Sequence, residues 1–223
     1  MDYSELRSLT EEERAGILER HRRGGVFIPC AEGVIIGENV VIASGALILP
    51  GCMLWGETFV GGDCVIGPNT LLYDTTAADG CVLNNVHSES ASIGADTRIG
   101  PWVRLRPGTR LGRGLRIGNF VEIKNADIGD GSKIAHLSYI GDADFGRDIN
   151  VGCGLAVANY DGNQKHRTVV GDGAFLGCHN SLVSPVTVGA GAYTAAGSVI
   201  TEDIPEGGFA IARARQVNKE KRQ

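Results

Sequence analysis

Residues 93–123 read IGADTRIGPWVRLRPGTRLGRGLRIGNFVEI. Ile93, Ile99, Leu105, Leu111, Ile117 and Ile123 recur in this stretch at a constant step of six. An α-helix repeats every 3.6 residues and a half-buried strand every two, so neither produces that step. A hexapeptide repeat does, and such repeats build parallel β-helices in which one apolar residue per hexad points inward. Three hexads, about 18 residues, close one triangular coil, and successive coils stack at about 4.8 Å.

The pattern extends outward in both directions. Apolar-Gly pairs recur at Ile36, Ile66, Ile93, Ile99, Leu111, Ile117, Ile128, Ile140, Val151, Val170, Leu176 and Val188. The beat loosens over 73–92, read here as ordinary coil irregularity, with His87 lacking an evident partner. Between Val157 and Val170 the polar, turn-prone run ANYDGNQKHRT is expected to leave the solenoid as a loop. Ahead of the repeats, residues 4–23 read as a helix. Thr10 and Glu13 have the spacing of a capping box, His21, Arg22 and Arg23 fall in the last turn as surface residues, and Gly24-Gly25 stops it. The expected organisation is an N-terminal helical segment (1–28), a β-helix (29–204), and a C-terminal strand with a basic arm (205–223). Within the last, FAIA (209–212) is placed to add a closing rung.

Composition agrees with a solenoid. The 223-residue chain has 33 glycines, about twice the usual share of roughly 7%, as repeated tight corners require. Its net charge of −5 argues against nucleic acid or a membrane surface as partner. Six cysteines without a CxxC pair read as free thiols, most of them filling space in a cytoplasmic protein. No secretory signal or membrane-length apolar run is present.

Polar residues are set into the beat. Arg106 and Lys124 lie 18 residues apart, one coil, each directly after an inward residue. They are either a solvated pair or the two walls of a site for a phosphate-sized anion. Tyr139 immediately precedes the inward Ile140 and is expected at the same edge, with His136 on the face leading into it. Asn150 falls on a different edge, so joining it to the cluster requires loop curvature or a second subunit.

Hexapeptide β-helices as a class are left-handed and trimeric, and most transfer acyl groups. Within that class a more specific resemblance covers most of the chain. RLRPG (104–108), GNFVEIKNA (118–126), GSKIAHLSYIGDA (131–143), NVGCG (150–154), NYDG (159–162) followed by Lys165, GDGAFLG (171–177) and LVSPVTVGAGA (182–192) appear in this order. Together they resemble the C-terminal acetyltransferase domain of the bacterial bifunctional N-acetylglucosamine-1-phosphate uridylyltransferase/glucosamine-1-phosphate acetyltransferase family. The resemblance implies an all-β solenoid, a left-handed parallel β-helix acting as a homotrimer, which moves an acetyl group from acetyl-CoA to the amine of glucosamine-1-phosphate. It implies His136 as general base. By the same match Arg106, Lys124, Tyr139, Asn150 and Lys165 hold the sugar phosphate, while Asn159, Tyr160, Cys178, Ala196 and Arg213 line the acetyl-CoA site. No metal is implied.

Three departures qualify the match. Cys178 stands where the family has serine, a stronger hydrogen-bond donor. The tail diverges after Arg213. No Gly-rich uridylyltransferase segment occurs, so uridylyl transfer, with its magnesium, is expected only from a separate protein in trans. Two alternatives remain: acetyl transfer to another amino sugar or nucleotide sugar, and a non-catalytic hexapeptide scaffold. A γ-type carbonic anhydrase is excluded by spacing, because none of His21, His87, His136, His166 and His179 are five apart.

Overall fold

A computed structural model describes residues 2–219; the last part of the basic arm, 220–223, lies outside the described residues. Two helices precede the repeats, α1 (Ser4–Arg7) and α2 (Glu11–Arg23). The single helix expected over 4–23 is therefore divided, because its capping box takes effect. The Thr10 hydroxyl accepts from the Glu13 N–H at 3.2 Å and the Glu13 carboxylate accepts from the Thr10 N–H at 2.8 Å. A residue capping in extended geometry (φ −79°, ψ 162°) cannot also continue a helix from its N-terminal side. Arg14 fastens α2 to the first coil through Val34 O at 2.9 Å and Ala31 O at 2.5 Å. His21, expected at the surface, is instead buried with Ile17 and Leu18 against the solenoid end. Burial pushes the His21 imidazole below its ordinary range.

From Ile35 to Ala210 the chain is a left-handed parallel β-helix of about ten turns. Each strand pairs in parallel with the one a coil later, as in Ile35↔Met53, Arg98↔Arg116, Glu122↔Tyr139 and Phe175↔Tyr193. The inward residues form three columns and so three faces. The first passes through Ile99, Ile117, Ile134, Val151 and Leu176, the second through Leu105, Ile123, Ile140, Val157 and Leu182, and the third through Leu111, Ile128, Phe145, Val170 and Val188. All are buried, so the step of six is the step from face to face. Phe209 and Ala210 pair with Tyr193 and Thr194, so FAIA does supply another rung.

The loosened stretch marks shortened coils. Leu71 pairs with His87, 16 residues on, where Met53 pairs with Leu71 at 18. His87 is not isolated: Arg104 is its register neighbour, and burial together with the Arg104 charge lowers its pKa. Only half of the cysteines fill space, fewer than the majority expected. Cys52, Cys64 and Cys81 are buried, whereas Cys30 and Cys178 are exposed and Cys153 is intermediate. The buried thiols also donate to carbonyls a coil away, Cys52 to Ile66 O and Cys64 to Ala78 O.

Candidate functional site

The second face and its two corners carry the site. Its long strands, Arg116–Ile128 and Lys133–Phe145, run in register around the corner from the first face and across to the third. His136 occupies the near corner. One rung below it, in register, is Asn119, and the Nδ1 atom of His136 lies 2.9 Å from Asn119 Oδ1. An amide oxygen only accepts, so Nδ1 carries a proton, and in the neutral imidazole the lone pair is then on Nε2. His136 is exposed, with that nitrogen available to a ligand.

At the far corner Arg106, Lys124 and Lys165 converge around two acids. Arg106 pairs with Glu122 at 2.9 Å. Asp142 is buried, receives the Asn125 amide at 2.6 Å and that of Asn159 at short range. Burial pushes the Asp142 carboxyl up, but these two amides, with Lys124 and Lys165 nearby, hold it below its ordinary value. Lys124 is shifted the unfavourable way. Contact with the Lys165 side chain and burial lower its pKa, against the opposing pull of Asp142. Three cations thus share two carboxylates, a surplus that a bound anion would neutralise.

Tyr139 links the two ends. It sits on the same face as Lys124, as expected, but not in its column: Glu122 lies in register with Tyr139, and Gly141 with Lys124. The two residues flank the inward Ile123/Ile140 position on opposite sides. Gly141 lets the phenol cross that gap, because a Cβ there would overlap both Tyr139 Oη and the Asn159 amide.

The remaining positions divide in two. Cys178 and Ala196 follow the inward Leu176 and Thr194 by two residues, as His136 follows Ile134, so all three stack along the near corner, and Arg213 packs beside Gly197 at its top. Asn159, Tyr160 and Lys165 belong to the loop that lengthens one coil from 17 to 25 residues, as in Lys133↔Asn150 against Asn150↔Phe175. The loop is folded on itself. Tyr160 and Lys165 form an antiparallel bridge, His166 Nε2 meets Asp161 Oδ2 at 2.6 Å, and Asp161 also accepts the Asn163 and Gln164 N–H groups. Asn150 is not brought to this cluster. It lies on the first face, directly above Lys133.

Asn119, Glu122, Asn125 and Asp142 were not singled out from the sequence, yet they orient His136 and balance the cations. The signal was available: Asn119 precedes His136, and Asn125 precedes Asp142, by one 17-residue coil. Among the described residues no three His, Cys, Asp or Glu side chains gather as a metal site, and no helix is long and apolar enough to cross a membrane.

Residues 90–125 match the bacterial transferase hexapeptide (six repeats) family. The chain is 48% identical over 203 residues to the bifunctional protein GlmU of Brevibacillus brevis, which covers 91% of this chain and 44% of that protein. For GlmU of Caldanaerobacter subterraneus the identity is 46% over 207 residues, 93% of this chain and 45% of the relative. For that of Clostridioides difficile it is 44% over 216 residues, 97% and 47%. The chain therefore spans less than half the length of the curated relatives it matches. With this similarity along nearly its whole length, and the fold that its repeats require, the chain belongs to the GlmU-like hexapeptide-repeat proteins.

Proposed function

We propose that the chain is an acetyl-CoA-dependent N-acetyltransferase acting on glucosamine-1-phosphate, His136 serving as general base. The observation that carries this reading is the pairing, on one face, of an oriented histidine with a cation-rich pocket lacking one counter-charge. A sugar phosphate has an anion at one end and an amine at the other, and these are the two things the face is equipped to receive.

The substrate amine is largely protonated near neutral pH and cannot attack until it loses that proton. Solvent takes that first proton; as the nitrogen lone pair adds to the thioester carbonyl, His136 Nε2, in the tautomer that Asn119 sets, takes the second proton that the product amide must lose. The tetrahedral intermediate collapses, the C–S bond breaks, and the histidine returns the proton to the leaving thiolate. Such a base contributes about 10²–10⁴-fold. Arg106, Lys124 and Lys165 hold the phosphate, with Tyr139 beneath the sugar. Asn159, given to the acetyl-CoA site by the resemblance, spends an amide donor on Asp142 and so also shapes the phosphate pocket. Cys178, Ala196 and Arg213 line a path for acetyl-CoA along the near corner, and Tyr160 closes it from the loop. Asn150 on the first face joins the site across the subunit boundary of a homotrimer. The protein would act in the cytoplasm, where acetyl-CoA is made and used.

The test follows CoA release from acetyl-CoA with glucosamine-1-phosphate, glucosamine-6-phosphate or glucosamine as acceptor. Turnover confined to the 1-phosphate and reduced at least 100-fold in His136→Ala is expected. Because His136 is exposed, the variant should melt as the parent does. No CoA release with any of the three would overturn the reading.

A further inference from the structure

The first face carries a second set of cations that the acetyl-transfer site does not use. Arg98, Arg116 and Lys133 occupy the same outward position on three successive rungs, Arg98 in register with Arg116 and Arg116 with Lys133. At the rung spacing of about 4.8 Å they form a column about 10 Å long. All three are exposed, and none has a side-chain hydrogen bond or ion pair among the described residues. Three other arginines of the solenoid, two exposed and one half-buried, are treated differently. Arg110 is paired with Asp127, Arg147 with Asp172, and Arg167 with Asp144. On the first face, cation stands directly above cation with no carboxylate between them.

The column borders a groove of about 660 Å³ whose walls include Arg98, Arg116 and Asn84. Its floor is small, with Gly100, Gly118 and Ala135, and its inner end is His136. A slot with a low floor, one cationic wall and no built-in anion is shaped for an extended anion lying along the solenoid axis. Two guanidinium groups offer paired N–H donors to phosphate oxygens, and the ammonium of Lys133 adds a point charge.

We propose that this groove binds a linear oligophosphate, two or three phosphates long, as in a nucleoside-diphosphate sugar. Its phosphates lie over Arg98, Arg116 and Lys133, and an amino sugar attached to the Lys133 end would direct its amine to His136. The groove is separate from the pocket of Arg106, Lys124 and Lys165, which lies at the opposite end of the second face. Nor does it overlap the corner path through Cys178 and Ala196, which runs the other way along the axis from His136. The proposal concerns binding and stands whether or not glucosamine-1-phosphate is the acceptor.

Isothermal titration of the full chain with sodium tripolyphosphate tests it, with pyrophosphate as the shorter probe. Saturable binding is expected, weakening as salt rises from about 50 to 200 mM because the cations are exposed. The double variant R98Q/R116Q should bind at least tenfold more weakly, parent and variant both being titrated in an R106Q/K124Q background that removes the separate sugar-phosphate pocket. Both arginines of the first variant are surface residues, so its circular dichroism and melting curve should match the parent and separate lost binding from lost folding. No saturable binding in that background, or equal binding with and without R98Q/R116Q, would each overturn the proposal.

Discussion

The third face and the far end of the second face both carry cations, and the fold treats them in opposite ways. On the third face Arg110 reaches Asp127 at 2.6 Å, and Arg167 reaches both oxygens of Asp144 at 2.5 and 2.6 Å. The carboxylates raise the pKa of both arginines, and Arg167 in turn holds Asp144 below its ordinary range. At the end of the second face Lys124 is shifted down, chiefly by Lys165 and then by burial. A cation whose charge the fold favours belongs to the architecture. One whose charge the fold disfavours, in a cluster where three cations share two carboxylates, marks a place where a ligand completes the electrostatics.

Lys124→Ala probes the contrast most strongly. Losing a charge-assisted contact of about 1.5–3 kcal/mol should weaken binding of glucosamine-1-phosphate by about 10–100-fold. The melting temperature should hold or rise, since the repulsion from Lys165 goes with the ammonium. Titration calorimetry and a thermal melt read the two quantities separately. A variant that melts several degrees lower yet binds normally would place Lys124 with the architectural cations and break the comparison.

The pH dependence of the same contact should be smaller but of definite sign. In the free protein Lys124 is below the usual lysine value of 10.5, and a phosphate beside it favours the charged form. Binding therefore takes up a proton once the pH passes the free-state pKa. Affinity should fall as pH rises through the alkaline range below 10.5, most simply followed by calorimetry in buffers of different ionisation enthalpy. Without ligand the sign reverses: neutralising a lysine whose pKa is depressed in the fold stabilises the fold as pH rises. Lys124→Arg should flatten the binding profile, because a guanidinium stays charged. An equally steep profile in that variant would assign the titration to another group.

What could be read from the residues divides along the same line. The solenoid was legible because a step of six forces the inward residue, and Ile93, Leu105, Ile117 and Ile123 are all nearly inaccessible. Arg106 over Lys124 was legible too, as one coil of 18. Tyr139 was placed on the right face but not in register, because it precedes its inward residue whereas Lys124 follows its own, and only Gly141 lets the phenol bridge the difference. Asn119 and Asp142 are marked only by a 17-residue spacing from His136 and Asn125, shorter than the 18 of Arg106 and Lys124, and Glu122 carries no such mark, so their roles emerge when the coil is closed. His21 was misplaced for a related reason. Charged neighbours in a last turn suggest exposure, but the docked side of α2 is fixed by the solenoid end it meets, with Ile17, Leu18 and His21 facing it.

The smallest effect is expected on the third face, from Asp144→Asn. Both partners of the Arg167–Asp144 pair are partly exposed, with side-chain accessibilities of 38% and 43%, so solvent screening keeps its contribution to about 0.5–1 kcal/mol. Arg167 keeps further partners in Ala143 O at 3.1 Å and Asn125 O at 3.2 Å, which limits the loss. For a domain of this size the cost amounts to about 1–4 °C in melting temperature, with acetyl transfer unchanged. The parent should lose this increment on acidification, because a carboxyl with a depressed folded pKa contributes stability above its unfolded value and forfeits it as the pH falls through the folded one. The amide variant should show a shallower decline over that acidic range. If Asp144→Asn instead reduced sugar-phosphate affinity as Lys124→Ala does, the charges of the two faces would be one coupled network, with Asn125, which receives Arg167 at its carbonyl and donates to Asp142, as the connection.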